Sequence, residues 1–134
     1  GLGLGQNARA ALIARGYAEM LRFGLSRGAR GETLSGLCGL GDLVLTCSST
    51  SSRNFSLGKA LGEGLSAAEA LSGKNSVAEG AATAPVLAEL AARGGGGMPL
   101  VDAGGRLLSG DAPARAVVGD LLARPLRAEQ EPGA

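Results

Sequence analysis

The sequence predicts an all-α domain. Apolar residues recur at helical spacing through most of the chain, and no stretch alternates with the period of two that marks a strand. The aromatic residues are only Tyr17, Phe23 and Phe55, so Leu, Ala and Val must fill an interior suited to closely packed helices. With 134 residues, 45% of them apolar, the chain is long enough for one domain with a genuine core and too short for two of ordinary size.

The first helix is expected over residues 8 to 28, about five turns long. Leu12, Ile13, Tyr17, Met20 and Phe23 share one face, while Arg15, Glu19, Arg22 and Ser26 share a polar one. Asn7 suits its N-cap and Gly28 its C-terminal stop. Gly16, in mid-helix, marks a place where a backbone or a ligand comes close. A short helix is expected around 32 to 35, followed by the punctuating Gly36 and Gly39.

Asp42 then stands where an N-cap belongs for a short apolar helix over 43 to 47, although the same carboxylate also suits a ligand hydroxyl. The hydroxyl-rich stretch 46 to 52 has the composition of a loop. Ser52 is placed to cap a helix over 53 to about 61, whose first turn carries Arg53 and Asn54. Such a terminus suits a phosphate, because its free amides and the helix dipole add to the guanidinium. An ordinary surface cap has the same sequence.

Further on, Ser66-Ala67-Ala68-Glu69 is a capping-box pattern for a helix to Ser72, closed by Gly73. Residues 74 to 78 suit an extended segment. A helical pattern runs from 79 to 93 and contains Pro85, so the helix begins near Ala84 or kinks there. Residues 94 to 97 are glycines and form a break. Pro99 opens a helix to Leu108, weakened by Gly104 and Gly105. The last helix starts at Asp111 or Ala112, with Val117, Val118, Leu121 and Leu122 on its buried side. The domain is expected over 1 to 124 and a disordered tail over 125 to 134.

Composition excludes several functions. The formal charge is +1, without a Lys/Arg cluster and with almost no aromatic residues to stack on bases, which argues against nucleic-acid binding. Histidine is absent, removing the commonest general base and zinc ligand together. Cys38 and Cys47 form no CxxC and are expected to be buried free thiols, with no metal site. No run approaches the roughly 18 apolar residues of a membrane span, and the N-terminus lacks the pattern of a signal peptide, so a cytoplasmic location is expected.

Several blocks, taken in order and with their spacing, carry a resemblance. Gly3-Leu4-Gly5-Gln6-Asn7-Ala8-Arg9-Ala10-Ala11-Leu12-Ile13-Ala14-Arg15-Gly16, the run Gly39-Leu40-Gly41-Asp42-Leu43-Val44-Leu45-Thr46-Cys47, then Ser52-Arg53-Asn54 and Val77-Ala78-Glu79-Gly80 resemble the C-terminal domain of bacterial NAD(P)-dependent glycerol-3-phosphate dehydrogenase. Met98-Pro99 and Leu121-Leu122-Ala123-Arg124 also fit. The likeness implies a multi-helix fold like the C-terminal domain of 6-phosphogluconate dehydrogenase. It implies an oxidoreductase interconverting sn-glycerol 3-phosphate and dihydroxyacetone phosphate with NAD(P)H, feeding glycerophospholipid synthesis.

By that resemblance Asp42, Ser52, Arg53 and Asn54 hold the substrate, and Arg53, Val77 and Glu79 contact the cofactor. The family's N-terminal Rossmann domain and its general-base lysine, just upstream of the glycine-rich start, are not in this sequence. Neither Lys59 nor Lys74 stands in that lysine motif, and Gly1, Gly3 and Gly5 do not meet the GxGxxG spacing. The 134 residues alone are therefore expected to be inactive. The alternative is a free-standing, non-catalytic helical module for binding or dimerisation, derived from such an enzyme. A homodimer is what the family suggests, and periodicity does not bear on it. Gly104 and Gly105 stand where the family has larger apolar residues, which places the packing of that helix in question.

Overall fold

A computed structural model describes residues 1–72, 78–94 and 97–125. Among the described residues every regular element is helical: α1 (Gln6–Ser26), α2 (Gly31–Leu34), a π turn (Leu37–Gly41), α3 (Asp42–Thr46), α4 (Arg53–Gly62), α5 (Ala67–Leu71), α6 (Glu79–Gly94), α7 (Pro99–Ser109) and α8 (Ala114–Leu122). The all-α expectation holds. The expected extended segment falls mostly, and the disordered tail almost wholly, outside the described residues.

Helix α1 begins two residues before the expected start, with Gly5 rather than Asn7 at the N-cap and no side chain capping it. Its C-terminal end follows the sequence: Gly28 adopts a φ of 83°, while Gly28 N–H donates to the Leu25 carbonyl and Ala29 N–H to that of Gly24. Those two bonds satisfy the last carbonyls of the helix in a Schellman arrangement. Gly16 faces side chains and not a neighbouring backbone: a methyl group there would touch Leu100 and Leu43 at ordinary distances of 3.5 and 3.9 Å.

The polar face of α1 departs most from expectation. Glu19 is only 5% exposed, and its two carboxylate oxygens accept the Leu100 N–H at 2.8 and 3.1 Å. The reason lies at the start of α7. Met98 has no capping side chain and Pro99 has no N–H, so the unpaired first-turn amides begin at Leu100, and Glu19 reaches across from α1 to meet them. One turn earlier on α1, Arg15 donates to the Leu121 carbonyl at 2.7 Å, in the last turn of α8. An anion at one helix N-terminus and a cation at another's C-terminal turn both match the helix dipoles.

Two apolar clusters fill the interior. Ala103, Val117 and Leu121 are buried, with Leu12 and Leu100 packed against them, joining α1, α7 and α8. Leu57, Leu61, Ala70 and Ala78 form the other, joining α4 and α5 to the residue before α6. Leu107 packs on both, so α7 links them. Val117 is fully buried, whereas Leu122 is 36% exposed and lies at the rim instead of the interior. Burying a Val or Leu side chain contributes about 1.5–3 kcal/mol, so these few residues supply much of the packing energy.

Helix α6 neither starts at Ala84 nor waits for Pro85. It begins at Glu79 and carries Pro85 within it, forgoing one N–H. Helix α7 is intact through both interior glycines, and a methyl group at either Gly104 or Gly105 would meet no heavy atom within 4 Å. Ser66 and Glu69 form the expected capping box, which holds the Glu69 carboxyl below the usual carboxylate range. Of the two thiols, Cys47 is half-buried and burial pushes it up, but Cys38 is exposed, because the π turn carries its side chain outward.

Two predictions follow from α7 and its cap. Gly104→Ala and Gly105→Ala each raise stability by about 0.5–1 kcal/mol in thermal unfolding, since the helix loses a flexible residue and nothing obstructs the methyl group. Glu19→Ala leaves the half-buried Leu100 amide unpaired and costs about 1–3 kcal/mol. Burial raises the Glu19 pKa above its ordinary 4.5 against the opposing backbone bonds from Leu100 and Val101. The native state therefore holds that proton more tightly than the unfolded state, so the Glu19 contribution is greatest below pH 4.5 and falls as pH rises through the raised value. Glu19→Gln, which keeps an acceptor without a charge, removes that part of the pH dependence in urea titrations.

Candidate functional site

The site is built on the N-termini of α4 and α6. Ser52 caps α4 as expected, its hydroxyl accepting the Phe55 N–H at 3.2 Å. That cap leaves the amides of Arg53 and Asn54 without an acceptor among the described residues. The preceding loop is tied down as well, since Ser56 Oγ donates to the Thr50 carbonyl at 2.8 Å. The hydroxyl-rich stretch is thus held against the helix it precedes.

Arg53 is the first residue of α4 and Glu79 the first of α6, and the two pair at 3.0 Å. Their side chains are 53% and 61% exposed, so the pair is open to solvent and contributes little to stability. A cation at a helix N-terminus opposes the dipole, and the adjacent carboxylate offsets that cost. Asn54 Oδ1 accepts the Gly80 N–H at 2.9 Å, so the second residues of the two helices are joined as well. A carboxamide expected to face a ligand is partly engaged by the backbone of α6. Beside them lies a cleft of about 240 Å³ lined by Thr50, Arg53, Ser56, Leu57, Ala70, Leu71 and Ala78.

Asp42 is placed differently. It is the first residue of α3, follows directly on the π turn and does not cap the helix. The cause is visible in Gly41, whose φ of −61° and ψ of −48° are already helical, so the chain enters α3 without the turn that an N-cap needs. The carboxylate is exposed and, among the described residues, has no hydrogen bond or ion pair joining it to Arg53, Asn54 or Glu79. Gly39 fixes this segment: it is buried, and a Cβ there would overlap the Leu34 carbonyl oxygen. Val77 lies outside the described residues.

The structure therefore brings together Ser52, Arg53, Asn54 and Glu79, and holds Asp42 on a separate element. It adds Gly80, which had no role in the sequence reading of the site. Its signal was there, a glycine directly after the acidic first residue of a helix, but the partner that needs the space is distant in sequence. No cluster of potential metal ligands occurs among the described residues.

The described residues form a helical domain that presents a cation and its partner carboxylate at two helix N-termini. The family model described as the C-terminus of NAD-dependent glycerol-3-phosphate dehydrogenase matches residues 1–119, and the chain belongs to that family. It is 73% identical over 131 residues to the glycerol-3-phosphate dehydrogenase (NAD(P)+) of Erythrobacter litoralis, covering 98% of this chain and 39% of that protein. Identity to the protein of the same name from Novosphingobium aromaticivorans is 70%, over 96% of this chain and 39% of that protein. The crystal structure of the Coxiella burnetii glycerol-3-phosphate dehydrogenase superposes with a TM-score of 0.88 at 45% identity, over 92% of this chain and 38% of that one. The chain spans about two fifths of the length of these relatives.

Because its Cβ would meet a backbone carbonyl and not a movable side chain, Gly39→Ala is expected to destabilise the protein by about 1–3 kcal/mol. Urea unfolding of that variant beside Gly41→Ala, where the nearest atoms lie at 3.6 Å or more, isolates the effect.

Proposed function

We propose that the protein carrying this chain interconverts sn-glycerol 3-phosphate and dihydroxyacetone phosphate with NAD(P)H, and that residues 1 to 124 are its substrate-binding domain. The observation that carries the proposal is the half-exposed Arg53, presented at a helix N-terminus within a chain of this family. A guanidinium beside free helix amides suits a phosphate, which takes both charge and directed hydrogen bonds. Ser52, Arg53 and Asn54 then hold the phosphorylated end of the substrate, and the exposed Asp42 carboxylate accepts from its hydroxyl end.

The Arg53–Glu79 pair offers donors and acceptors at one rim, which fits a polar edge of a nicotinamide nucleotide; Val77, outside the described residues, is assigned to the same nucleotide by the resemblance alone. Among the described residues there is no strand-turn-helix to take the rest of such a molecule. When bound, the cofactor supplies or accepts the hydride. The residues of this chain bind and orient the reactant, and proton transfer at the reacting oxygen is assigned to none of them. A cytoplasmic location and a homodimer complete the proposal. No helix among the described residues is long and apolar enough to cross a membrane.

The test is oxidation of NADH or NADPH by the purified full-length protein on addition of dihydroxyacetone phosphate. Turnover is expected, and its absence with both nucleotides contradicts the proposal. In the same assay Arg53→Ala raises KM about tenfold or more, since a hydrogen bond to a charged group contributes about 1.5–3 kcal/mol. An unchanged KM would leave Arg53 as no more than the surface ion-pair partner of Glu79.

A further inference from the structure

We infer that Gly80 is a positioning residue for the Arg53–Glu79 pair, acting through Asn54. The inference rests on the assignment of Arg53 and Glu79 to the ligand site. Helices α4 and α6 meet at their N-termini through two consecutive links: first residue to first residue by the ion pair, and second residue to second residue by the Gly80 N–H bond to Asn54 Oδ1. The ion pair is solvent-exposed and joins two long side chains, so by itself it leaves the helices free to shift. The Asn54 bond is short-armed and reaches a backbone amide, so it sets where α6 begins relative to α4. That placement decides where Glu79 stands and where Arg53 points.

Glycine at position 80 is what the link requires. A Cβ there would stand 2.9 Å from Asn54 Oδ1 and 3.1 Å from its Cγ, too close for the carboxamide to remain in place. The atoms it meets are the far end of a side chain, not backbone, so an alanine turns Asn54 aside and leaves the fold standing. Alanine is also the better helix former, which offsets the lost bond. Gly80→Ala therefore separates positioning from stability. Gly58, exposed on α4 with nothing within 4 Å of its Cβ position, is the control for a glycine-to-alanine change on a helix.

The experiment uses the full-length protein with Gly80→Ala, Asn54→Ala, the double variant and Gly58→Ala. Three quantities are read: the melting temperature, hydrogen exchange at the residue 80 amide, and the NADH dissociation constant together with KM for dihydroxyacetone phosphate. Gly80→Ala and Asn54→Ala are each expected to melt within about 3 °C of the parent and to speed exchange at residue 80. Both weaken NADH binding about tenfold, and the double variant weakens it no further than the worse single one, because both remove one link. Gly58→Ala leaves exchange at residue 80, NADH affinity and KM unchanged and, like any unobstructed glycine-to-alanine change in a helix, raises the melting temperature slightly. Faster exchange with unchanged NADH affinity and KM would reduce the contact to a helix cap and overturn the inference, as would additive losses in the double variant. A parent protein that binds NADH without turning over the ketone would contradict the proposed reaction while leaving the positioning result readable from exchange and affinity.

Discussion

One carboxylate, buried on α1, holds the start of α7. Proline at the first position of α7 and methionine before it leave the helix without a cap of its own, and Glu19 supplies one from another element. Helix α7 packs against α1, α5, α6 and α8 and its Leu107 touches both apolar clusters, so its placement sets that of most of the domain. Arg15, one turn away on α1, ties the far end of α8 in the same manner. A single helix face thus carries opposite charges to opposite helix poles. The desolvation of Glu19 opposes the arrangement, and the raised proton affinity of that carboxyl is its trace.

The end of the domain that carries Arg53 relies on a different device. Helices α4 and α6 are both anchored below by Leu57, Leu61 and Ala78, and are joined at their N-termini by Arg53, Glu79, Asn54 and Gly80. Rigid packing beneath and polar links above allow charged groups to remain half-exposed without losing their direction. Asp42 reaches its own place by an independent route, through the π turn packed on the end of α2.

Local signals were legible in the sequence and long-range ones were not. The Ser52 cap, the Ser66–Glu69 box, the Gly28 stop and the Pro99 start each depend on residues within one turn, and each stands where the pattern predicts. The role of Glu19 was hidden because periodicity assigns a charged residue to the solvent face, and only the missing cap on α7, far along the chain, makes its burial favourable. Asp42 looked like an N-cap because glycines usually end a helix, whereas here they lie in a wide π turn that feeds α3 directly. Cys38 misled for the same reason, being carried outward by that turn. Within the site, Ser52, Arg53 and Asn54 were legible as a group, but the partners they take on α6 were not.

Arg53 is the proposed point at which this domain meets its ligand, with Glu79 and Asn54 holding it ready. A crystal structure of the full-length protein with NADH and dihydroxyacetone phosphate tests it most directly. The expected result is the Arg53 guanidinium in hydrogen-bond contact with the bound ligands, with Asn54 still accepting the Gly80 N–H. Arg53 facing open solvent, paired only with Glu79 while both ligands bind elsewhere, would contradict it.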